Sequence, residues 1–162
     1  MARIKVQKSQ LYYHEDKATQ VESVQCAKEL ELGTDAEEDV DVTCLDDEED
    51  NFDPGKKTPG EGSLTIDLDD ENASHLKLIE LSKTNPRKKV TFYLGSSNSD
   101  DPPTVTGNVV TLPTTRTWWV WVAYLKLAEK TFVKGQFVGY KFPMKKTSIV
   151  NETIRTVPPA GP

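Results

Sequence analysis

Six carboxylates fall within residues 46–53: Asp46, Asp47, Glu48, Glu49, Asp50 and Asp53. Oxygen ligands at such density are what hard cations bind. An EF-hand-like loop counted from Asp46 would take ligands at Asp46, Glu48 and Asp50, then needs glycine sixth and glutamate twelfth. The chain has Asn51 and Lys57 there, so a built calcium site is not expected. These carboxylates lie in a solvated run with no apolar surround, which argues against acid–base catalysis. The two histidines, His14 and His75, have no cysteine, histidine or carboxylate at zinc-like spacing. His14 is expected in a polar N-terminal arm and His75 on the wet face of a helix. Neither a phosphate-cradling glycine loop nor a nucleophile elbow occurs. The expectation is no enzyme: no catalytic residue, no metal and no cofactor.

The other cluster is aromatic. Trp118, Trp119 and Trp121 lie in the apolar run Trp118–Leu125, which as a strand is apolar on both parities and so is expected to be covered on both sides. Three readings stand: a flat sugar-binding platform, a core strand, or a subunit interface, where aromatics are enriched.

The chain that must position these groups has 162 residues, enough for one domain, with a lean but adequate apolar fraction of 36%. Its net charge of -6 is unevenly spread. From Glu29 to Asp53 every charged residue is acidic, whereas from Ala123 to Arg155 lysines dominate. An acidic end and a basic end allow copies to attract one another head to tail. An acidic protein is a poor candidate for tight binding to phosphates. Cys26 and Cys44 fall on the apolar phase of predicted strands, so both are expected reduced and buried, with a disulfide between neighbouring strands as the alternative. The N-terminal residues lack the apolar stretch of a signal peptide, and the longest apolar run cannot span a bilayer as a helix. Soluble protein made in a cytoplasm is expected, with no membrane partner.

Alternation with period two predicts strands at 24–32 (Val24, Cys26, Leu30, Leu32 inward), 39–45 (Val40, Val42, Cys44 inward), 63–68 and 90–94. A helix is predicted from Asp69 or Asp70 to Asn85-Pro86, with Ala73, Leu76 and Ile79 buried and Leu78 and Leu81 widening that stripe. Segment 96–117 is polar and turn-rich and reads as an insertion or extended loop; the tryptophan strand follows, then strands at 136–142 and 147–154. The expected fold is mainly β: an antiparallel β-sandwich or barrel with one flanking α-helix. Its organisation would be an N-terminal arm (1–23), a β-domain (24–156) carrying a long loop at 45–62 and the 96–117 insertion, and a flexible tail (157–162).

The order of features resembles a known family. A strand ending in Leu30-Glu31-Leu32 is followed by the strand 39–45 and a long loop carrying Leu45-Asp46-Asp47-Glu48-Glu49-Asp50 and Lys56-Lys57-Thr58-Pro59-Gly60. The strand 63–68 then runs directly into the capped helix, and Gly135-Gln136-Phe137-Val138-Gly139 precedes the closing strands. This resembles the tail tube (major tail) proteins of long-tailed bacteriophages, particularly the lambda-like type, over roughly residues 24–154. The 96–117 insertion and the tryptophan strand depart from the family pattern.

The resemblance implies a structural subunit of the virion. Copies would form hexameric rings that stack into a hollow tube, through which genomic DNA passes without specific binding. The long loop would reach the adjacent ring through Asp46, Asp47, Glu48, Glu49, Asp50, Asp53, Lys56 and Lys57. Trp118, Trp119, Trp121, Lys126, Lys141, Lys145 and Lys146 are candidate subunit-interface residues. Tape measure, tail terminator and tail-tip (distal tail) proteins are the implied partners. Two alternatives remain beside it: a carbohydrate-binding β-sandwich module, and a ring-forming tube protein of a secretion or pyocin-like system.

Overall fold

The computed structural model describes residues 3–16 and 18–156. The tail expected at 157–162 lies outside the described residues.

Apolar alternation builds the sheet. In β1 (Gln10–Glu15) Leu11 and Tyr13 face one side and Tyr12 the other. β7 (Val90–Gly95) sends Val90 and Phe92 to the first side and Tyr93 to the second. β10 (Trp118–Leu125) repeats the division, with Trp121, Ala123 and Leu125 against Trp118. Leu64 and Ile66 of β6 (Glu61–Asp67) and Phe142 and Met144 of β12 (Gly139–Lys146) complete the main core. Residues of one parity share a face because side chains alternate along a strand.

With β2 (Glu22–Val24) and β3 (Ala27–Glu31) these strands form a nine-stranded sheet in the order β2-β1-β7-β10-β12-β6-β3. The short strands β11 (Glu129–Thr131) and β13 (Asn151–Thr153) pair with β12 and β10. All pairings within this sheet are antiparallel. Two hairpins stand apart as separate small sheets: β4 (Ala36–Asp41) with β5 (Phe52–Thr58), and β8 (Thr104–Thr106) with β9 (Val109–Thr111). The expected mainly antiparallel β architecture with one helix is what the chain adopts, but the sheet is not closed into a barrel.

Its two edges, β2 and β3, are separated in the chain only by Gln25 and Cys26. The sheet therefore curls until its edges almost meet, without bonding to each other. Helix α1 (Ala73–Lys83) staples this seam. Asn72, its N-cap, donates from Nδ2 to Gln25 Oε1 at 2.8 Å, and the Gln25 N–H donates to Ser74 Oγ at 3.3 Å. His75 accepts the Asp69 N–H at Nδ1 (3.1 Å), so Nε2 carries the proton it donates to the Gln25 carbonyl (2.7 Å).

Several expectations change at this seam. The predicted strand 24–32 is two strands, broken where Cys26 adopts φ 55°, a left-handed turn conformation. Cys26 and Cys44 are both exposed free thiols rather than buried ones. The helix begins later than predicted and is rotated: His75, Leu78, Leu81 and Ser82 are buried, while Leu76 is exposed. A histidine that satisfies two backbone groups outcompetes a leucine for the inner face, because buried backbone groups must be paired. Residues 10–15, where Leu11–His14 reads as either a short strand or part of an arm, are a buried strand between β2 and β7. His14 is likewise buried, its Nε2 donating to the Ala18 carbonyl at 2.9 Å.

Candidate assembly surfaces

The β4–β5 hairpin is the outer half of one long hairpin whose inner half is β3–β6. Glu31 opposes Ser63 in the body, and Ala36 opposes Thr58 in the hairpin. Between those pairs the strands approach too closely for side chains. A Cβ on Gly33 would lie 2.1 Å from the Glu61 carbonyl oxygen, and one on Gly60 2.4 Å from that of Thr34. Gly33 also holds φ +68°, a region natural to glycine.

Asp35 fastens this root. Its carboxylate accepts the Lys146 ammonium at 2.6 Å and the N–H groups of Gly60 and Val150 at 2.9 Å each. Partial burial pushes the Asp35 carboxyl upward. Hydrogen bonds from Lys146, Gly60 and Val150, with the lysine charge, outweigh that and hold it below its ordinary value. Lys146 points inward and is fully buried, so this candidate interface residue is a structural partner of Asp35.

Beyond the root, every residue from Ala36 to Thr58 is exposed except Thr43 and Gly55, which are half-buried. Among the described residues, no hydrogen bond or ion pair joins this arm to the rest of the chain. Its tip is ordered internally. Asp47 accepts the Cys44 N–H at 2.7 Å and the Asn51 side-chain amide at 3.1 Å, and Thr43 Oγ1 accepts the Asn51 N–H at 2.8 Å. Hydrogen bonds from Thr43 hold the Asp41 carboxyl below its usual range. Val40, Val42, Leu45 and Phe52 are exposed, so the inward setting expected for Val40, Val42 and Cys44 does not occur. Among the described residues there is no second layer for them to face.

The expected loop 45–62 is therefore shorter. The strand predicted at 39–45 ends at Asp41, and β5 occupies 52–58. Asp53-Pro54-Gly55 reads as a turn, yet a bulge opposite Asp39 admits Pro54 into a strand. Asp46, Asp47, Glu48, Glu49 and Asp50 sit together at the tip; Asp53, Lys56 and Lys57 lie along β5. Among the described residues no metal-sized cluster of three histidine, cysteine or acidic side chains forms.

The tryptophan strand is covered on both sides, as its two-faced apolarity predicts, but by its own chain. Trp121 stacks on Phe92 with centroids 5.6 Å apart. Trp118 is enclosed by Tyr12, Tyr93, Val110 and Leu112, the last two from the 96–117 segment. The Arg116 guanidinium lies 4.9 Å from the Trp118 ring centroid and donates to the Ser96 carbonyl. That segment thus roofs the second face of the sheet. Trp118 and Trp121 are fully buried, and only Trp119 keeps surface to offer. No platform of three tryptophans is presented to a sugar.

Lys126 and Lys145 both meet Glu61 at 3.3 Å, holding that carboxyl below its ordinary range. Lys141 is exposed at the start of β12. Beside it, the stretch from β11 to β12 exposes Leu127, Phe132, Val133 and Phe137. Phe137 falls within the predicted strand 136–142, whereas Leu127, Phe132 and Val133, ahead of turn-forming Lys134-Gly135-Gln136, are too irregularly spaced to register as a strand.

A family model described as phage tail tube, lambda-like, matches residues 2–156. The chain belongs to the lambda-like phage tail tube family. This tail tube protein is a structural component of the virion, not an enzyme, as its sequence implied. A sequence search of curated proteins finds no match. Among solved structures, the SPP1 tail tube, from solid-state NMR and cryo-EM, superposes with TM-score 0.58 at 12% identity, covering 94% of this chain and 81% of that one. A chain of the anti-feeding prophage baseplate superposes with TM-score 0.61 at 7% identity, covering 97% of this tail tube protein and all 100% of the other. A chain from the sheath/tube terminator of the extracellular contractile injection system PVC gives 0.61 at 10% identity, with 94% and 98% covered. At these identities the likeness is one of fold. No helix among the described residues is long and apolar enough to cross a membrane.

Proposed function

We propose that this tail tube protein closes into hexameric rings that stack into a hollow tube for genomic DNA, and that the arm 36–58 bridges one ring to the next. The observation that carries the reading is the arm itself. An isolated two-stranded hairpin is at best marginally stable in water. This one also exposes four large apolar residues and both strand edges. Unpaired edges and apolar surface favour association with another chain. A neighbouring copy provides that cover, and a contact between unlike surfaces repeats into rings or filaments. β2 and β3 do not bond to each other, so the main sheet keeps two unpaired edges that can pair across subunits. A net charge of -6 suits a conduit to which DNA phosphates do not adhere. Tape measure, terminator and distal tail proteins are the partners expected at the core and ends of such a tube.

The test removes the arm. Ala36 and Thr58 are cross-strand partners, so a short turn can replace residues 37–57 without disturbing the root. The shortened chain is expected to fold and to form no tubes by negative-stain microscopy at concentrations where the full chain does. Tubes of ordinary length from the shortened chain would remove the arm from stacking. The same fold serves injection particles, and a purified particle lacking DNA would assign the chain to that class.

A further inference from the structure

We propose that the tip of the arm docks on the β11–β12 stretch, residues 126–141, of a second copy. The inference rests on the assembly reading above and names the surface that receives the arm. Most lysines among the candidate interface residues are already engaged within the chain: Lys146 by Asp35, Lys126 and Lys145 by Glu61. Among the described residues, Lys130, Lys134 and Lys141 have no carboxylate within ion-pair distance, and all three are exposed around one stretch.

That stretch is the chemical complement of the arm. Residues 126–141 carry four lysines against one glutamate, whereas residues 39–53 carry eight carboxylates and no basic residue. Both surfaces also expose large apolar side chains without cover. Phe132 and Phe137 are 73% and 78% exposed on one, while Leu45 and Phe52 are 108% and 57% exposed on the other. Apolar centres ringed by opposite charges exclude water at the middle and fix orientation at the rim. An open cleft of about 600 Å³ is lined by Phe137 together with Gly135, Lys141, Lys28 and Asp67. It has room for one large apolar side chain of the arm, Leu45 or Phe52.

Within one copy these surfaces share no hydrogen bond or ion pair among the described residues. The arm tip stands a strand's length from the root, about 20 Å for seven residues of β5. The two surfaces differ, so the contact is heterologous and propagates from copy to copy.

Cys44, exposed at the arm tip, provides the test. Chains carrying Cys26→Ser, with Cys44 intact, are assembled with chains carrying Cys26→Ser, Cys44→Ser and Phe137→Cys, then mildly oxidised. Disulfide-linked heterodimers are expected at least tenfold above those formed when the second chain carries Leu76→Cys on α1 instead. In parallel, Lys130→Glu/Lys134→Glu/Lys141→Glu is expected to cut tube yield at least tenfold with an unchanged melting temperature. A partner with Asp46→Lys/Asp47→Lys/Glu48→Lys should restore it. Tubes whose cross-links favour Leu76→Cys, or full assembly of the charge-reversed loop, would overturn the docking alone. If the unmodified chain forms no tubes at any concentration, the assembly reading falls, and the docking falls with it.

Discussion

The arm and the tryptophan strand both combine apolar residues with an apparent lack of internal partners, and they resolve that shortage in opposite ways. In Trp118–Leu125 one parity enters the main core and the other is roofed by Val110 and Leu112 from the 96–117 segment. In the arm, Val40, Val42, Leu45 and Phe52 stay in solvent and nothing among the described residues covers them. Sequence pattern leaves the tryptophans open between core strand, sugar platform and interface, and sets the arm valines inward. Apolar alternation reports that a side chain will be covered. It does not report whose atoms do the covering.

Substitutions sharpen this contrast. The largest effect is expected at Trp121, fully buried and stacked on Phe92. Trp121→Ala should cost about 3–5 kcal/mol in denaturant unfolding, because a large cavity opens in the core. A loss below 1 kcal/mol would mean that the strand is not core after all.

At the junction between the two regions, Asp35→Ala leaves the buried Lys146 ammonium without its carboxylate. A loss of about 2–3 kcal/mol is expected, less than for a wholly buried pair since Asp35 keeps some exposure. The pH dependence has a definite sign. The folded-state pKa of Asp35 is lowered, so its contribution is present above the ordinary aspartate value of 3.8 and is lost as pH falls through the folded value. Melting temperatures of wild type and Asp35→Ala should therefore converge below pH 3.8 and differ most at neutral pH. A constant gap across that range would show that the carboxylate charge is irrelevant to the root.

The smallest effect on folding is expected at Phe52, in the arm. Phe52→Ala should change unfolding free energy by less than about 0.5 kcal/mol, as exposed substitutions usually do. Tube formation should nonetheless weaken. Strong destabilisation of the lone chain would instead mean that the arm is covered within its own molecule.

Much of the body could be read from residue order. Strands 63–68 and 90–94 alternate because each lies between neighbours in the sheet, and the run at 118–125 is apolar on both parities because both of its faces are covered. The helix ended where Asn85-Pro86 required, yet its buried stripe was misplaced, since hydropathy ranks Leu76 above His75 and ignores the two backbone groups that His75 satisfies. β5 was hidden by Pro54 and Gly55, which are turn-formers except where a bulge on an uncovered strand accommodates them. The Cys26 turn was hidden too, since nothing local marks the place where a chain leaves one sheet edge for the other. Among the candidate interface residues, Trp118, Trp121 and Lys146 lost that role to burial, which no spacing rule could foresee.

What the sequence determined by itself was the class of object: mainly antiparallel β, one helix, no catalytic constellation, an acidic segment set against a basic one. These follow from side-chain period and charge, which are properties of neighbours along the chain. Tertiary structure alone decided which apolar residues remain uncovered, which lysines are already neutralised, and how an arm is fixed by Asp35 at a root of close-packed glycines. Those depend on contacts between segments far apart in the chain, such as Asp35 with Lys146, and such contacts exist only once the sheet has curled.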